Sequence, residues 1–245
     1  SGRGELHLAI LIEKMRREGY EFQVSRPQVV LKEEGACSLE PYEELTIDVD
    51  EAYMGVVMEG LGARKGRLLD MQQENGRVRL KYRIPTRGLI GYRSEFMSST
   101  KGMGVMNYVF LEYGPHAGEI CQRRNGVLVS KSVCTTVAYA LFNLQARGRL
   151  FHGPGVKVYE GQIIGERSRD GDLVVNPAKG KKLTNMRASG SDENVILTPP
   201  LIMGLEECIS YINDDELVEV TPQNIRLRKR LRKPCSMPTS LQRAA

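Results

Sequence analysis

The chain has 245 residues, 41% of them hydrophobic and 27% charged, enough for one large domain or two ordinary ones and too apolar for a wholly disordered chain. Its formal net charge of +5 admits an anionic partner without requiring one. No apolar run reaches the roughly 18 residues that a membrane-spanning helix needs. Cys37, Cys121, Cys134, Cys208 and Cys235 have neither zinc-ligand spacing nor the even number of a disulfide framework, so they read as reduced thiols of a cytoplasmic protein.

The opening "SGRGELHLAI" carries no initiator Met, basic leader or cleavage site, so the chain reads as a piece of a longer protein. Residues 5–18 show an apolar face through Leu6, Ala9, Ile10 and Leu11, which predicts an amphipathic helix stopped at Gly19. "YEFQVS" follows as a short strand. A helix and one strand cannot bury a sheet by themselves. Residues 1–38 are therefore expected to be the remnant of a truncated domain, packed as an appendage whose strand lacks its own sheet partners, with an edge borrowed from a neighbouring molecule left open.

Residues 39–118 form the next domain, with a complete pattern over 40–114. "YEELTIDVD" alternates as a strand, and "EAYMGVVMEGLGAR" has helical spacing through Val56, Val57 and Leu61. "GRLLDMQ" and "GRVRLKYRIP" form a hairpin turned at Glu74–Asn75–Gly76. "TRGLIGYRSEFMSST" returns to a helical period through Leu89, Ile90 and Phe96, and "GVMNYVFLEY" closes as a strand. The order βαββαβ is the ferredoxin-like split pattern, an antiparallel sheet with both helices on one face.

From Glu119 the texture changes to short strands broken by glycine turns: "GVLVS", "GVKVYEGQIIGER", "DLVVN", "NVILTPP" and "NIRLRKR". "TVAYALFNLQARG" reads as strand leading into a helical turn, and "LEECISYIND" as a helix with Leu205, Ile209 and Ile212 inward. The fold class is α+β throughout: a helix–strand remnant, a ferredoxin-like domain, a strand-rich α+β domain over 119–233, and a tail over 234–245.

No catalytic motif survives inspection. GxxxxGK[ST] is absent, so there is no P-loop, and "GLGARKG" follows a helix without GxGxxG spacing. Cys134 and His152 are isolated in sequence, and nothing local supports a dyad between them. The adjacent acidic pairs are explained by solvated faces.

Two basic stretches stand out. In "IRLRKRLRK" a strand would place Arg226, Arg228 and Arg230 opposite Ile225 and Leu227, presenting a row of guanidinium groups. Such a row either tracks phosphates or defends a sheet edge, and the acidic helix before it could instead neutralise it internally. The stretch 177–191, within "NPAKGKKLTNMRASGSD", has Lys179, Lys181, Lys182 and Arg187 without an acidic residue, interleaved with Thr184, Asn185 and Ser189. Long loops with no period of their own are usually functional or disordered. Cations spaced by neutral hydrogen-bonding groups suit RNA.

Three stretches carry a resemblance. "SGRGELHLAILIEKMRREGYEFQVSRPQV" resembles the end of domain III of the elongation-factor-G class of translational GTPases. "IPTRGLIGYRSEFMSSTKGMGVMNY" and "YEGQIIGERSRDGDLVVNPAKGKKLTNMRASGSDE" resemble the BipA/TypA family of that class. The resemblance implies a parent with an N-terminal G domain and a β-barrel domain, both outside this chain, so that GTP and Mg²⁺ would belong there and the chain itself would hold no cofactor. It implies that 1–38 is the last part of domain III, 39–118 a ferredoxin-like domain V and 119–233 a family-specific C-terminal domain. It further implies a cytoplasmic, ribosome-associated protein linked to large-subunit assembly and growth under stress. The counterpart of 177–191 would meet large-subunit rRNA and the acceptor end of A-site tRNA. A protein-interaction or small-ligand regulatory module is the alternative, since ferredoxin-like domains serve many functions.

Overall fold

The computed structural model describes residues 5–34, 37–74, 76–120, 123, 125–180 and 196–230. Two compact units divide the chain. One is centred on 26–122; the other takes 9–25 together with the chain from Arg123 onward, apart from 209–211.

In the first unit the strand Cys37–Asp50 lies at the middle of an antiparallel sheet. Arg77–Pro85 pairs along one side of it, from Tyr42↔Pro85 to Asp50↔Arg77, and Arg67–Glu74 lies beyond. Val105–Pro115 pairs along the other side, and the short Lys32–Glu34 meets the start of the central strand. Alternation decides which side chains point inward. Leu45, Ile47 and Val49 share one face with Val78, Leu80, Tyr82 and Ile84, all fully or almost fully buried. Val57 and Leu61, one helical turn apart on Met54–Ala63, pack there with Leu89, Tyr92 and Phe96. Both helical segments thus cover the same face, and the βαββαβ expectation is borne out. Each such buried side chain contributes about 1.5–3 kcal/mol.

The opposite face of the sheet is held by charge. Arg79 donates to both Asp48 oxygens at 2.7 and 3.2 Å, and Arg83 Nε reaches Glu112 at 2.9 Å. Gly76, at φ +78°, closes the hairpin, as a two-residue turn with left-handed backbone requires.

One expected helix is two. Thr86–Leu89 and Tyr92–Ser99 are separated by an extended Ile90 and by Gly91 at φ +75°. Arg64 fills the break: its guanidinium donates to the Gly88 and Ile90 carbonyls at 2.8 and 3.2 Å and to Glu95 at 2.8 Å. Those carbonyls have no helical donor, so the arginine supplies what the broken ladder lacks.

The second unit contains a four-stranded sheet in the order Leu173–Val175, Val127–Ser130, Ile163–Arg167, Gly148–Leu150, with the first pair parallel and the others antiparallel. Leu128, Leu150, Ile164 and Val175 from it pack with Leu141 and Leu144 of the helix Ala138–Gln145. The ambiguous "TVAYALFNLQARG" is therefore mainly helix. The stretch "NVILTPP", expected as a strand, spans 194–200; its first two residues lie outside the described residues, and 196–200 have no regular structure, since Pro199 and Pro200 lack the N–H groups that a ladder uses.

The N-terminal segment corrects a further expectation. Glu5–Arg17 is a helix and Phe22–Ser25 a strand, but the strand pairs within this chain, Phe22↔Val220 to Ser25↔Leu217, in a three-stranded sheet with Glu216–Val220 and Ile225–Lys229. It needs no neighbouring molecule. The helix buries Ala9 and Ile12, while Leu6, Ile10 and Leu11 are exposed, so the buried stripe is rotated from the one read in the sequence.

Candidate nucleic-acid interface

The basic loop springs from a fixed base. The strand Leu173–Val175 runs into Asn176, whose Oδ1 accepts from Ala178 N at 3.0 Å in an Asx turn. Pro177 is buried, and its carbonyl accepts from Val137 N at 2.9 Å, at the N-cap of the helix Ala138–Gln145. On the return side Gln145, the last residue of that helix, accepts from Thr198 N at 3.2 Å and donates to the Ile196 carbonyl at 3.3 Å. Leu201 N then donates to Leu150 O at 2.8 Å. The chain leaves at one end of a single helix and is received at the other.

Lys179 and Gly180 are exposed on the departing stem. Lys181, Lys182, Thr184, Asn185, Arg187 and Ser189 lie outside the described residues. Among the described residues Lys179 is the one cation of the loop.

The arginine strand does not present a row of guanidinium groups. Arg228 is 7% exposed, Arg226 is half-buried and Arg230 is exposed. Arg226 and Arg228 lie close to Tyr159, and Arg226 also to His152, while both edges of Ile225–Lys229 are occupied. One edge pairs with Glu216–Val220, and the backbone around Arg228 meets Gln162 and Gly161 on the other. Lys229 turns to Asp172, Asp215 and Glu216 at 2.6, 2.8 and 2.8 Å. Burial alone would lower its ammonium pKa, but the hydrogen bonds to Asp172, Asp215 and Glu216 prevail and raise it. Internal neutralisation by Asp215 and Glu216, one of the alternatives for this stretch, accounts for Lys229.

Beside that strand lies a polar cluster that no local pattern foretells. Gln162 Oε1 accepts from Tyr159 N at 3.2 Å, so its amide nitrogen is the donor toward His152 Nε2 at 3.1 Å. The imidazole is then neutral with its proton on Nδ1. Burial, and secondly the charge of Arg226, holds the His152 pKa below its ordinary value. The Tyr159 hydroxyl donates to Glu219 at 2.6 Å, and burial followed by this bond raises its pKa. These residues come from segments 60 or so positions apart, and only the folded sheet order brings them together.

His152 therefore faces Gln162, and no hydrogen bond joins it to half-buried Cys134. Cys208 is buried with its thiol pushed up to about 12 by burial and by Glu207, which makes it unreactive. Among the described residues, no group of three or more His, Cys, Asp or Glu side chains could hold a metal ion, and no helix is long and apolar enough to cross a membrane.

Residues 125–234 match the family described as the TypA/BipA C-terminal domain, and residues 37–124 match the elongation factor G C-terminus. Among curated proteins the chain is similar to the large ribosomal subunit assembly factor BipA of Salmonella typhimurium, at 59% identity, of Escherichia coli K12, at 58%, and of Haemophilus influenzae, at 56%. Each match covers 94% of this chain and 38% of the relative, so the chain spans well under half the length of the proteins it resembles.

Proposed function

Because the chain belongs to the BipA/TypA family of the elongation-factor-G class, we propose that it is the ribosome- and RNA-binding C-terminal part of a translational GTPase acting in large-subunit assembly or in translation under stress. GTP hydrolysis, with its Mg²⁺, falls in this reading to a G domain outside the chain. Residues 1–38 are the end of domain III, 39–118 domain V, 119–233 the family-specific domain and 234–245 a tail. The protein works in the cytoplasm on the ribosome.

The observation that carries the reading is the run of cations over 177–191, whose flanks at Pro177 and Thr198 are bonded to the two ends of one helix in the region matching the family-specific domain. Lys179, Lys181, Lys182 and Arg187 meet phosphates of large-subunit rRNA or of the acceptor end of A-site tRNA. Thr184, Asn185 and Ser189 bond sugar or base edges. Exposed Arg230 is the member of the arginine strand that this reading retains.

Exposure along Val105–Pro115, with Val109 at 70% and Phe110 at 56%, favours a second reading, a protein-interaction module on the ferredoxin-like domain. Salt separates the two. Four phosphate contacts to a single strand give a log–log salt slope of roughly −3, whereas apolar contacts give little. Sedimentation of the chain with large subunits over a salt series tests this, with Lys179, Lys181, Lys182 and Arg187 replaced together by Ala. Salt-independent binding that survives the quadruple replacement would overturn the RNA reading.

A further inference from the structure

In the second unit an open cleft of about 320 Å³ is lined by Asn125, Arg149, Glu166, Arg167 and Ser168. Its wall is the pairing of Gly148–Leu150 with Ile163–Arg167, in which Arg149 stands opposite Glu166. Arg167 is positioned by neutral groups: its Nη1 donates to the Asp170 and Gly171 carbonyls, both at 3.0 Å. Arg149 is exposed. Arg147 and Arg169 flank the same segments, bonded through their carbonyls to Ser168 N and Gly126 N. Among the described residues no ion pair engages any of these four arginines, whereas Arg64, Arg79, Arg83, Arg87 and Arg123 all have carboxylates.

The cleft nevertheless contains a carboxylate. Glu166 Oε1 accepts from Asn125 Nδ2 at 3.0 Å, which leaves Glu166 Oε2 and Asn125 Oδ1 as acceptors. A bare phosphate would be repelled there. A ligand that carries an O–H or N–H donor beside its phosphate would be held at both ends. A ribonucleotide has that combination in its 2′-hydroxyl, and a deoxyribonucleotide lacks it.

We propose that this cleft receives one nucleotide of a single-stranded RNA, with Arg149 and Arg167 on its phosphates and the ribose hydroxyl donating to Glu166 or Asn125. The site deepens the RNA-binding reading above and rests on it, but uses residues separate from the loop.

The test is fluorescence anisotropy of the full chain with a labelled single-stranded RNA and the DNA of equivalent sequence, over a salt series. Arg149→Ala is expected to weaken RNA binding and reduce the magnitude of the log–log salt slope by about 0.7, while Arg149→Lys retains the slope. Glu166→Gln keeps the bond with Asn125 but turns the second acceptor into a donor. It is expected to lower the RNA-to-DNA preference several-fold while tightening DNA binding. An unchanged slope in Arg149→Ala, or an unchanged preference in Glu166→Gln, overturns the proposal. Competition by a free ribonucleoside monophosphate as strong as that by the oligomer would make this a free-nucleotide site and also overturn it. Loss of RNA binding on the loop replacement with none on Arg149→Ala would sink the cleft and leave the loop reading standing. Loss on Arg149→Ala alone would do the reverse. Arg149 is exposed, so its replacement leaves the melting curve as a control for folding.

Discussion

Glu216 is fully buried and receives Lys229 Nζ at 2.8 Å on the oxygen that Arg123 Nη2 approaches at 2.7 Å, with Arg123 Nη1 at 3.1 Å from the other. A third donor, Asn213 N, reaches the carboxylate at 3.0 Å. One buried carboxylate is therefore shared by two cations more than 100 positions apart, with Asp172 and Asp215 supplying further negative charge to Lys229. Removing one partner of such a buried group leaves uncompensated charge, at a cost of about 3–5 kcal/mol. Glu216→Ala is expected to lose that much in a denaturant titration. Asp215→Ala, whose carboxylate is 64% exposed, is expected to lose less than about 1 kcal/mol.

His152 gives a pH signature. Its folded pKa lies below the ordinary value of 6.5, so the neutral form is the one the fold stabilises. That stabilisation is complete above pH 6.5 and is lost as pH falls through the folded pKa. Protonation would also remove the acceptor that Gln162 uses. Denaturant midpoints at pH 7.5 and 5.5 should differ more in the parent than in His152→Gln. Equal differences would show that the imidazole does not titrate in this window.

Glu43 has the opposite sign. Burial raises its carboxyl pKa, only partly offset by the hydrogen bond from Thr86, and Glu43 Oε2 is buried without a partner. Its contribution to stability is present below the unfolded value of 4.5 and lost as pH rises through the folded pKa. Glu43→Gln is therefore expected to raise the melting temperature at pH 7 and to make no difference near pH 4, as scanning calorimetry at the two pH values would show.

Gly148 has no room for a side chain: a Cβ there would collide with the Glu166 carbonyl. Gly148→Ala should force the edge strand away, at about 1–3 kcal/mol. The cleft at Arg149 would be distorted with it. Thermal melting measures the first effect and RNA anisotropy the second.

The parts of the fold that were legible in the sequence are those where local pattern and tertiary environment agree. Leu45, Ile47 and Val49 alternate, and the sheet buries that face. Arg226 and Arg228 alternate just as cleanly, but alternation reports only which residues share a side. It does not say that Tyr159 and His152 come to lie beside those arginines. The partner of Phe22–Ser25 was illegible for a related reason: pairing with Glu216–Val220 joins the two ends of the sequence, and no local signal encodes a contact of that separation. The cleft arginines were hidden by their spread over two short segments, 147–149 and 167–169, that form no run.

The two stems of the basic loop are bonded to opposite ends of one helix by backbone and amide groups, independent of what lies between them. The segment 179–195 is thus a cassette whose ends are already brought to a fixed span. Further lengthening changes closure entropy only slowly, by about 0.6 kcal/mol for each doubling. Such a segment can change reach and composition while the core beneath it stays constant, so its variation is decoupled from the stability of the domain that carries it.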